Sequence, residues 1–213
     1  MSFVITTPLY YVNDKPHLGS IYTTLICDSI ARYKRLTGDD VIFITGVDEH
    51  GLKIQRTASN KGIDPQLHCD EISNVFIQNW ADWDITYNKF VRTSSQNHES
   101  IVGEFYSRVM KSKDIYMGVQ KGWYCVGCEE FKDNPDNSPT HKCPIHQKNL
   151  EWKNEENLFF KLSKYQSEIE NLINDPSFIQ PKERRNEIIN FVSKGLKDFS
   201  ISRTNVSWGI KVP

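Results

Sequence analysis

Residues 3–46 decide the fold, and they read FVITTPLYYVNDKPHLGSIYTTLICDSIARYKRLTGDDVIFITG. The stretch opens on a β-branched and aromatic run, residues 3–7, and closes on a second such run, residues 41–44. Both runs are typical of buried strands. Between them, apolar residues recur at helical spacing from Leu18 to Leu36, which predicts a helix. Strand, helix and strand form a βαβ unit, so the two strands are expected to be parallel, with a right-handed crossover.

The same alternation of strands and helices continues after Gly46. We predict further elements at residues 52–60 (helix), 65–83 (helix), 90–93 (strand) and 96–112 (helix). Asp64 followed by Pro65 favours a helix start, because aspartate caps free N–H groups and proline suits the first turn. Trp80 and Trp83 lie three residues apart on that helix and are predicted to pack in the core.

The pattern changes after Ile115. Residues 116–157 carry clustered cysteine, histidine, glycine, proline and asparagine, and no long periodic segment. Small modules of this composition are held together by metal ligands in place of a large core. Two predicted helices, residues 164–174 and 182–194, and a strand at residues 199–202 follow.

Composition gives no strong bias toward a nucleic acid or a membrane. The 213 residues carry a formal net charge of -1, so any contact with nucleic acid has to come from a local patch. No run approaches the ~20 apolar residues of a membrane span, and no membrane partner is expected. The N-terminus opens directly on a strand without a basic leader, which suggests a cytoplasmic protein, although a mature organellar protein would start in the same way.

Three of the five cysteines cluster with a histidine. Cys125-x2-Cys128 and Cys143-x2-His146 are two tight pairs that can bring four donors to one metal ion at tetrahedral angles. Three thiolates and one imidazole point to zinc. Because four protein ligands leave no open position, we predict one structural zinc per chain. His141 is an alternative fourth ligand. Its spacing is less suitable for binding the same metal ion, because it lies only two residues from Cys143.

A candidate nucleotide site lies where the first loop meets the first helix. His17, Gly19 and Ser20 stand at the start of that helix, whose free N–H groups and partial positive charge suit a phosphate. His17 can donate a hydrogen bond, and Gly19 allows a ligand to approach the backbone closely. Taken alone, this motif is weak, because a histidine before a helix is more often a capping or surface residue.

Polar residues also follow the second strand, in the run TGVDEHG at residues 45–51. This loop and the one after the first strand both lie at the carboxyl ends of neighbouring parallel strands. Doubly wound sheets bind their ligands at such a crevice. Polar residues on both sides of one crevice are hard to explain as packing.

Five stretches together resemble one family. They are TTPLYYVNDKPHLG at residues 6–19, TGVDEHG at 45–51, WYCVGCEEF at 123–131, NLFF at 157–160, and ISR at 201–203 with WGI at 208–210. This combination resembles the methionyl-tRNA synthetases, which are class I aminoacyl-tRNA synthetases, and it runs through nearly the whole chain.

The resemblance implies a domain organisation. Residues 1–115 would form the first half of a Rossmann-like, parallel-sheet catalytic domain. Residues 116–197 would be an inserted connective domain with a zinc knuckle, and residues 198–213 would return toward the catalytic domain. The family continues past this point with a KMSKS-like loop and an anticodon-binding domain. The chain is therefore expected to be an incomplete N-terminal portion, which need not be active alone.

The resemblance also implies an activity. The family activates methionine with ATP and Mg²⁺ to methionyl-adenylate and transfers the methionyl group to tRNA(Met). Leu9 and Tyr11 would line the methionine pocket and Asp48 would hold the substrate ammonium. His17, Gly19, Ser20 and His50 would contact ATP, the first three being the catalytic signature. The family has a second histidine where this chain has Ser20, which leaves the contribution of Ser20 to ATP binding open.

Simpler roles remain for several of these residues. Asp48 and His50 could each cap the helix predicted at residues 52–60. Leu9 and Tyr11 could be ordinary crevice lining, and Tyr10 could be the residue that packs inward. For the whole protein, the alternatives are an adenylyl-transfer enzyme that acts on a small molecule, a synthetase for another large apolar amino acid, and an RNA-binding module. The near-neutral charge weighs against the last.

Overall fold

The computed structural model describes residues 2–132, 142–204 and 206–212. Its strands are β1 (Ser2–Thr6), β2 (Tyr10–Tyr11), β3 (Asp40–Asp48), β4 (Lys89–Arg92), β5 (Ile115–Cys125), β6 (Glu130–Lys132), β7 (Glu151–Phe160) and β8 (Phe199–Ser200). Its helices are α1 (Leu18–Leu36), α2 (Leu52–Lys61), α3 (Pro65–Asp82), α4 (Gln96–Lys111), α5 (Gln166–Asn174) and α6 (Lys182–Val192), with a 3₁₀ turn at Leu162–Tyr165. The predicted α/β class is confirmed.

The chain divides into two compact units. The first comprises Met1–Gly103, Cys125–Glu130 and Val206–Lys211, and the second comprises Glu104–Tyr124, Phe131–Asn205 and Val212–Pro213.

A parallel sheet organises the first unit, with β3 at its centre. β1 and β2 pair in succession along one side of β3, and β4 pairs along the other, all parallel to it. The buried core of the unit includes Phe43, Phe76 and Trp80. The predicted βαβ unit is confirmed, and β3 is longer than predicted because it continues to Asp48. The prediction that β1 is buried was wrong, because one face of the strand, which includes Val4, is left exposed.

Gly46 explains how β3 and β4 come so close. A Cβ atom placed on Gly46 would lie 2.1 Å from the carbonyl oxygen of Val91 on β4. Only a residue without a side chain fits there, so the glycine of the TGVDEHG run keeps β4 paired along the strand that ends in Asp48.

The helices of the first unit agree largely with their predicted ranges. Asp64 caps α3 by accepting a hydrogen bond from the backbone N–H of Gln66 at 2.8 Å, as its sequence position predicts. Trp80 is fully buried, but the prediction that Trp83 is a core residue was wrong. Trp83 is the C-cap of α3 and is 51% exposed, because the helix ends before its last turn can bring that side chain inward.

The second unit contains an antiparallel sheet in the order β6-β5-β7-β8. β5 and β7 pair over ten residues, from Ile115 opposite Phe160 to Tyr124 opposite Glu151. Neither strand was predicted, because residues 116–157 show no long periodic segment in the sequence. The pairing is held by aromatic cross-strand contacts, such as Trp123 against Trp152 with ring centroids 5.3 Å apart, which become visible only once the register is known.

Helices α5 and α6 enclose a small apolar cluster of Ile173, Val192 and Leu196 in the second unit. The buried carboxylate of Asp114 accepts hydrogen bonds from the Lys164 ammonium at 2.6 Å and the Tyr165 hydroxyl at 2.5 Å. These bonds, that from Lys164 foremost, hold the pKa of Asp114 well below its usual range. Within the described ranges, no helix combines the length and apolarity needed to cross a bilayer.

Candidate active site and metal cluster

His17 is the N-cap of α1. Its Nδ1 accepts a hydrogen bond from the backbone N–H of Gly19 at 3.0 Å, while the side chain remains exposed. The capping interpretation of His17 is thus confirmed. It is compatible with ligand binding, because the neutral ring then carries its proton on Nε2, which can donate outward. The first turn of α1 holds no acidic residue, so its positive end is not neutralised from within.

Ser20 is buried, at 3% exposure, one turn into α1. Its backbone carbonyl accepts hydrogen bonds from the hydroxyls of Tyr10, at 3.2 Å, and Thr24, at 2.9 Å. Tyr10 stacks on Phe76 with ring centroids 5.7 Å apart. The inward-packing alternative for Tyr10 is confirmed, and this packing ties β2 to the first turn of α1.

Leu9 and Tyr11 point away from that core. They are 42% and 48% exposed, respectively, on either side of the inward-facing Tyr10. Tyr11 is the register partner of Asp48 on the adjacent strand, so these two residues lie side by side at the carboxyl end of the sheet. The structure thereby brings together two of the three residues predicted to hold methionine.

Asp48 is half-buried at the end of β3. Burial raises the pKa of its carboxyl, and hydrogen bonds from the Thr93 hydroxyl and the His50 backbone oppose part of that rise. The alternative that Asp48 or His50 caps α2 was wrong. The N-cap of α2 is Gly51, which has no side chain and so makes no side-chain capping hydrogen bond.

Glu49 was not predicted to have a role, yet this carboxylate, between Asp48 and His50 in the chain, is fully buried. It accepts hydrogen bonds from Nε of Arg92 at 2.8 Å and from the Ser73 hydroxyl at 2.5 Å. Arg92 extends the network to Asp70 at 2.6 Å. A buried charge of this kind needs such partners, and here they hold the strand end that carries Asp48.

His50 packs on Trp208, with ring centroids 5.2 Å apart. The indole N–H of Trp208 donates to the backbone carbonyl of Glu49, and its own carbonyl accepts from the N–H of Gly51. Burial lowers the pKa of His50, which keeps the imidazole neutral near pH 7. Trp208 is a second residue of this region whose role could not be read from its sequence position alone.

A cleft of about 370 Å³ opens between these elements of the first unit. The residues that line it are Leu9, Tyr10, Tyr11, Asn13, Asp14, Lys15, His17, Ser20, Lys53 and Phe76. It therefore joins the predicted ATP residues His17 and Ser20 to the predicted methionine residues Leu9 and Tyr11. Lys53, which sequence reasoning missed, places its ammonium over the Tyr11 ring at 5.7 Å.

The ligand atoms of Cys125, Cys128, Cys143 and His146 all lie within 4.8 Å of one another, so this cluster could hold a metal ion. Each pair forms a local turn. The N–H of Cys128 faces Sγ of Cys125 at 3.4 Å, and the N–H of His146 faces Sγ of Cys143 at 3.5 Å. The alternative ligand His141 lies outside the described residues.

The donor spacing fits a small tetrahedral ion. With Zn–S near 2.3 Å and Zn–N near 2.0–2.1 Å, tetrahedral angles place a sulfur and a nitrogen about 3.6 Å apart. Sγ of Cys143 and Nδ1 of His146 are 3.7 Å apart.

Comparison with known proteins places the chain in a family. The family model described as tRNA synthetases class I (M) matches residues 3–149 and 132–213. The chain belongs to this family. A methionine–tRNA ligase of Nostoc sp. is 54% identical over 214 residues, covering 100% of this chain and 40% of the relative. The chloroplastic/mitochondrial methionine–tRNA ligase of Arabidopsis thaliana is 52% identical, covering 100% of this chain and 35% of the relative.

Solved structures of this class I synthetase family share the fold. The Mycobacterium tuberculosis methionyl-tRNA synthetase in complex with methionyl-adenylate matches with a TM-score of 0.94 at 36% identity, over 100% of this chain and 42% of that one. The apo form of the same enzyme matches with a TM-score of 0.78 at 33% identity. The chain thus spans well under half the length of the relatives it matches.

Proposed function

We propose that the protein to which this chain belongs is a methionine–tRNA ligase. It activates methionine with ATP to methionyl-adenylate and transfers the methionyl group to tRNA(Met). The observation that carries the proposal is the cleft lined both by His17, at the open N-terminus of α1, and by Tyr11, the register partner of Asp48. Curated relatives with this name, and a solved relative bound to methionyl-adenylate, support it.

The first step requires alignment of two reactants. A carboxylate oxygen of methionine attacks the α-phosphorus of ATP, the bond to the β-phosphate oxygen breaks, and pyrophosphate leaves. No protein nucleophile takes part, so the site contributes by positioning the reactants and by stabilising charge.

On the ATP side, we assign His17, Gly19 and the start of α1. The Nε2–H of His17 can donate to a phosphate oxygen, and the backbone N–H groups of the first turn add a partial positive charge. Ser20 lines the same cleft and can offer its hydroxyl. His50 contacts the nucleotide. Its ring is neutral, because burial lowers the pKa of His50.

On the methionine side, we assign Leu9, Tyr11 and Asp48. Leu9 and Tyr11 expose apolar surface to an apolar side chain. Burial disfavours the charged form of the Asp48 carboxyl. A substrate ammonium group beside it supplies the opposite charge that the carboxylate lacks, and is therefore bound strongly.

We assign zinc to Cys125, Cys128, Cys143 and His146, as one structural ion per chain, because the donors are three thiolates and an imidazole. Bound zinc would hold the two turns together and leave no position open for chemistry. Mg²⁺ enters with ATP as its counter-ion. We propose that tRNA(Met) is the second substrate, acting with parts of the protein beyond this chain.

Amino-acid-dependent exchange of pyrophosphate into ATP tests the proposal. The assay is run with each of the twenty amino acids, on the full-length protein and on this chain. Exchange with methionine alone, followed by charging of tRNA(Met), is the expected result. Exchange with another apolar amino acid would change the substrate, and a folded, metal-loaded full-length protein without exchange would refute the assignment.

A further inference from the structure

Glu129 directly follows the Cys125–Cys128 pair, and its side chain reaches the start of α2. Its Oε1 accepts a hydrogen bond from the backbone N–H of Lys53 at 3.2 Å. The N-cap residue of α2, Gly51, makes no side-chain cap bond. Glu129 therefore does for α2 what Asp64 does for α3, from a position 76 residues farther along the chain than the N–H it binds.

The fit between Glu129 and Gly51 is close. A Cβ atom placed on Gly51 would lie 2.4 Å from Oε1 of Glu129, and the φ angle of Gly51 is 112°, a value that side chains rarely permit. The space beside Gly51 is thus filled by the carboxylate of Glu129.

Glu129 also acts on Tyr11, which lines the cleft. Burial first, and then the negative charges of Asp48 and Glu129, raise the pKa of Tyr11, so the phenol keeps its proton and remains a donor. Lys53, whose N–H is held by Glu129, lies over the ring of the same tyrosine.

The backbone of Glu129 is itself unusual. Its φ angle is 55°, in the left-handed region that non-glycine residues seldom occupy. Such conformations persist where the surroundings require them, and they concentrate at functional sites. Here the side chain reaches the start of α2.

We propose that Glu129 is a positioning residue for the methionine site. By capping α2, it fixes the position of Lys53, whose ammonium lies over the Tyr11 ring in the cleft. This role rests on the proposed function, because Tyr11 and Asp48 are the residues assigned to methionine. The contacts of Glu129 require the reach and the acceptor oxygen of its side chain, whereas its charge is secondary.

Two conservative variants of the full-length protein separate the effect of the length of the Glu129 side chain from the effect of its charge. Glu129→Asp keeps the charge but is one methylene too short to meet Lys53, whereas Glu129→Gln keeps the reach and an acceptor oxygen. We expect Glu129→Asp to raise the KM for methionine about tenfold while the KM for ATP changes less than about threefold. We expect Glu129→Gln to stay within about threefold of the parent protein for both substrates.

Three results would overturn the proposal: a normal methionine KM in Glu129→Asp, a Glu129→Gln variant as impaired as Glu129→Asp, or equal changes in both KM values. Metal content and thermal melting establish that each variant folds. If Glu129→Asp does not fold, Lys53→Met removes the ammonium over the Tyr11 ring alone, and an unchanged methionine KM in that variant would count against the role. Absence of methionine exchange in the parent protein would instead refute the proposed function.

Discussion

The backbone N–H of Gly19 donates to Nδ1 of His17, and a Cβ atom on Gly19 would lie 3.0 Å from Cε1 of that ring. Gly19 therefore orients the imidazole through its N–H and, because it has no side chain, leaves space for the ring. The two residues of the His-x-Gly motif are one structural unit, in which Gly19 fixes which ring nitrogen is free to donate.

Gly19→Ala should consequently act as a weaker version of His17→Ala. We expect His17→Ala to lower ATP-dependent methionine activation by about 100-fold, and Gly19→Ala by about tenfold, because the methyl group displaces the ring. Ser29→Ala is the matched control, since Ser29 is exposed farther along α1 and its hydroxyl donates to the carbonyl of Leu25. Pyrophosphate exchange measures all three, and a Gly19→Ala variant with normal kinetics would separate the glycine from the histidine.

Asp48→Ala should remove the partner of the substrate ammonium. We expect methionine activation to fall by at least about 100-fold, or about 2.7 kcal/mol of transition-state stabilisation. Asp14→Ala is the control, because Asp14 is an exposed carboxylate that lines the cleft. Near-normal exchange by Asp48→Ala would leave Asp48 without a role in substrate binding.

Cys143→Ser should strip the metal cluster of one donor. We expect the parent chain, purified without chelator, to carry one equivalent of zinc, and the variant to lose most of it and melt at a lower temperature. Cys27→Ser is the control, since Cys27 is a buried cysteine outside the cluster. Metal analysis and thermal melting decide the outcome, and a variant that keeps its zinc would remove Cys143 from the ligand set.

Asp28 links α1 to the segment before β4. Its carboxylate accepts from the N–H and the hydroxyl of Thr86, at 2.7 and 2.6 Å, and from Nε of Arg32 at 2.6 Å. Burial alone would raise its pKa, but these bonds outweigh it and hold the pKa of Asp28 below the usual value. Asp28→Ala should lower the free energy of unfolding at pH 7 by about 2–3 kcal/mol, measured by urea denaturation.

The same shift sets the pH dependence of that difference. A carboxyl whose folded-state pKa is depressed stabilises the fold above its unfolded pKa, about 3.9, and loses this effect as the pH falls through the folded value. The gap between Asp28→Ala and the parent should therefore narrow below about pH 4. A gap that stays constant down to the acid transition would show that the Asp28 charge contributes nothing.

The βαβ core could be predicted because its signals are local. The β-branched and aromatic strand runs, the helical spacing of α1 and the Asp64–Pro65 cap each lie within a few residues of one another. The second sheet could not, because glycine and polar residues interrupt the apolar residues of β5, and most residues of β7 are polar. Their stability comes from pairs across the ladder, which depend on a register that one strand alone does not specify.

The candidate site shows the same division. His17, Leu9, Tyr11 and Asp48 belong to short motifs, so the sequence could nominate them. Glu49 could not be nominated as buried, since its partners Arg92 and Ser73 are 43 and 24 residues away. A charged residue is predicted to be exposed unless the fold is known to bring paired groups to it.

The contact between Trp208 and the loop of Glu49 and Gly51 has a consequence for synthesis on the ribosome. The indole N–H donor follows its acceptor by 159 residues. At elongation rates of about 5–20 residues per second, Trp208 is synthesised roughly 8–30 s after the loop that it contacts. The first unit therefore cannot complete this contact as it emerges. Trp208 joins the loop only after the intervening residues have been translated.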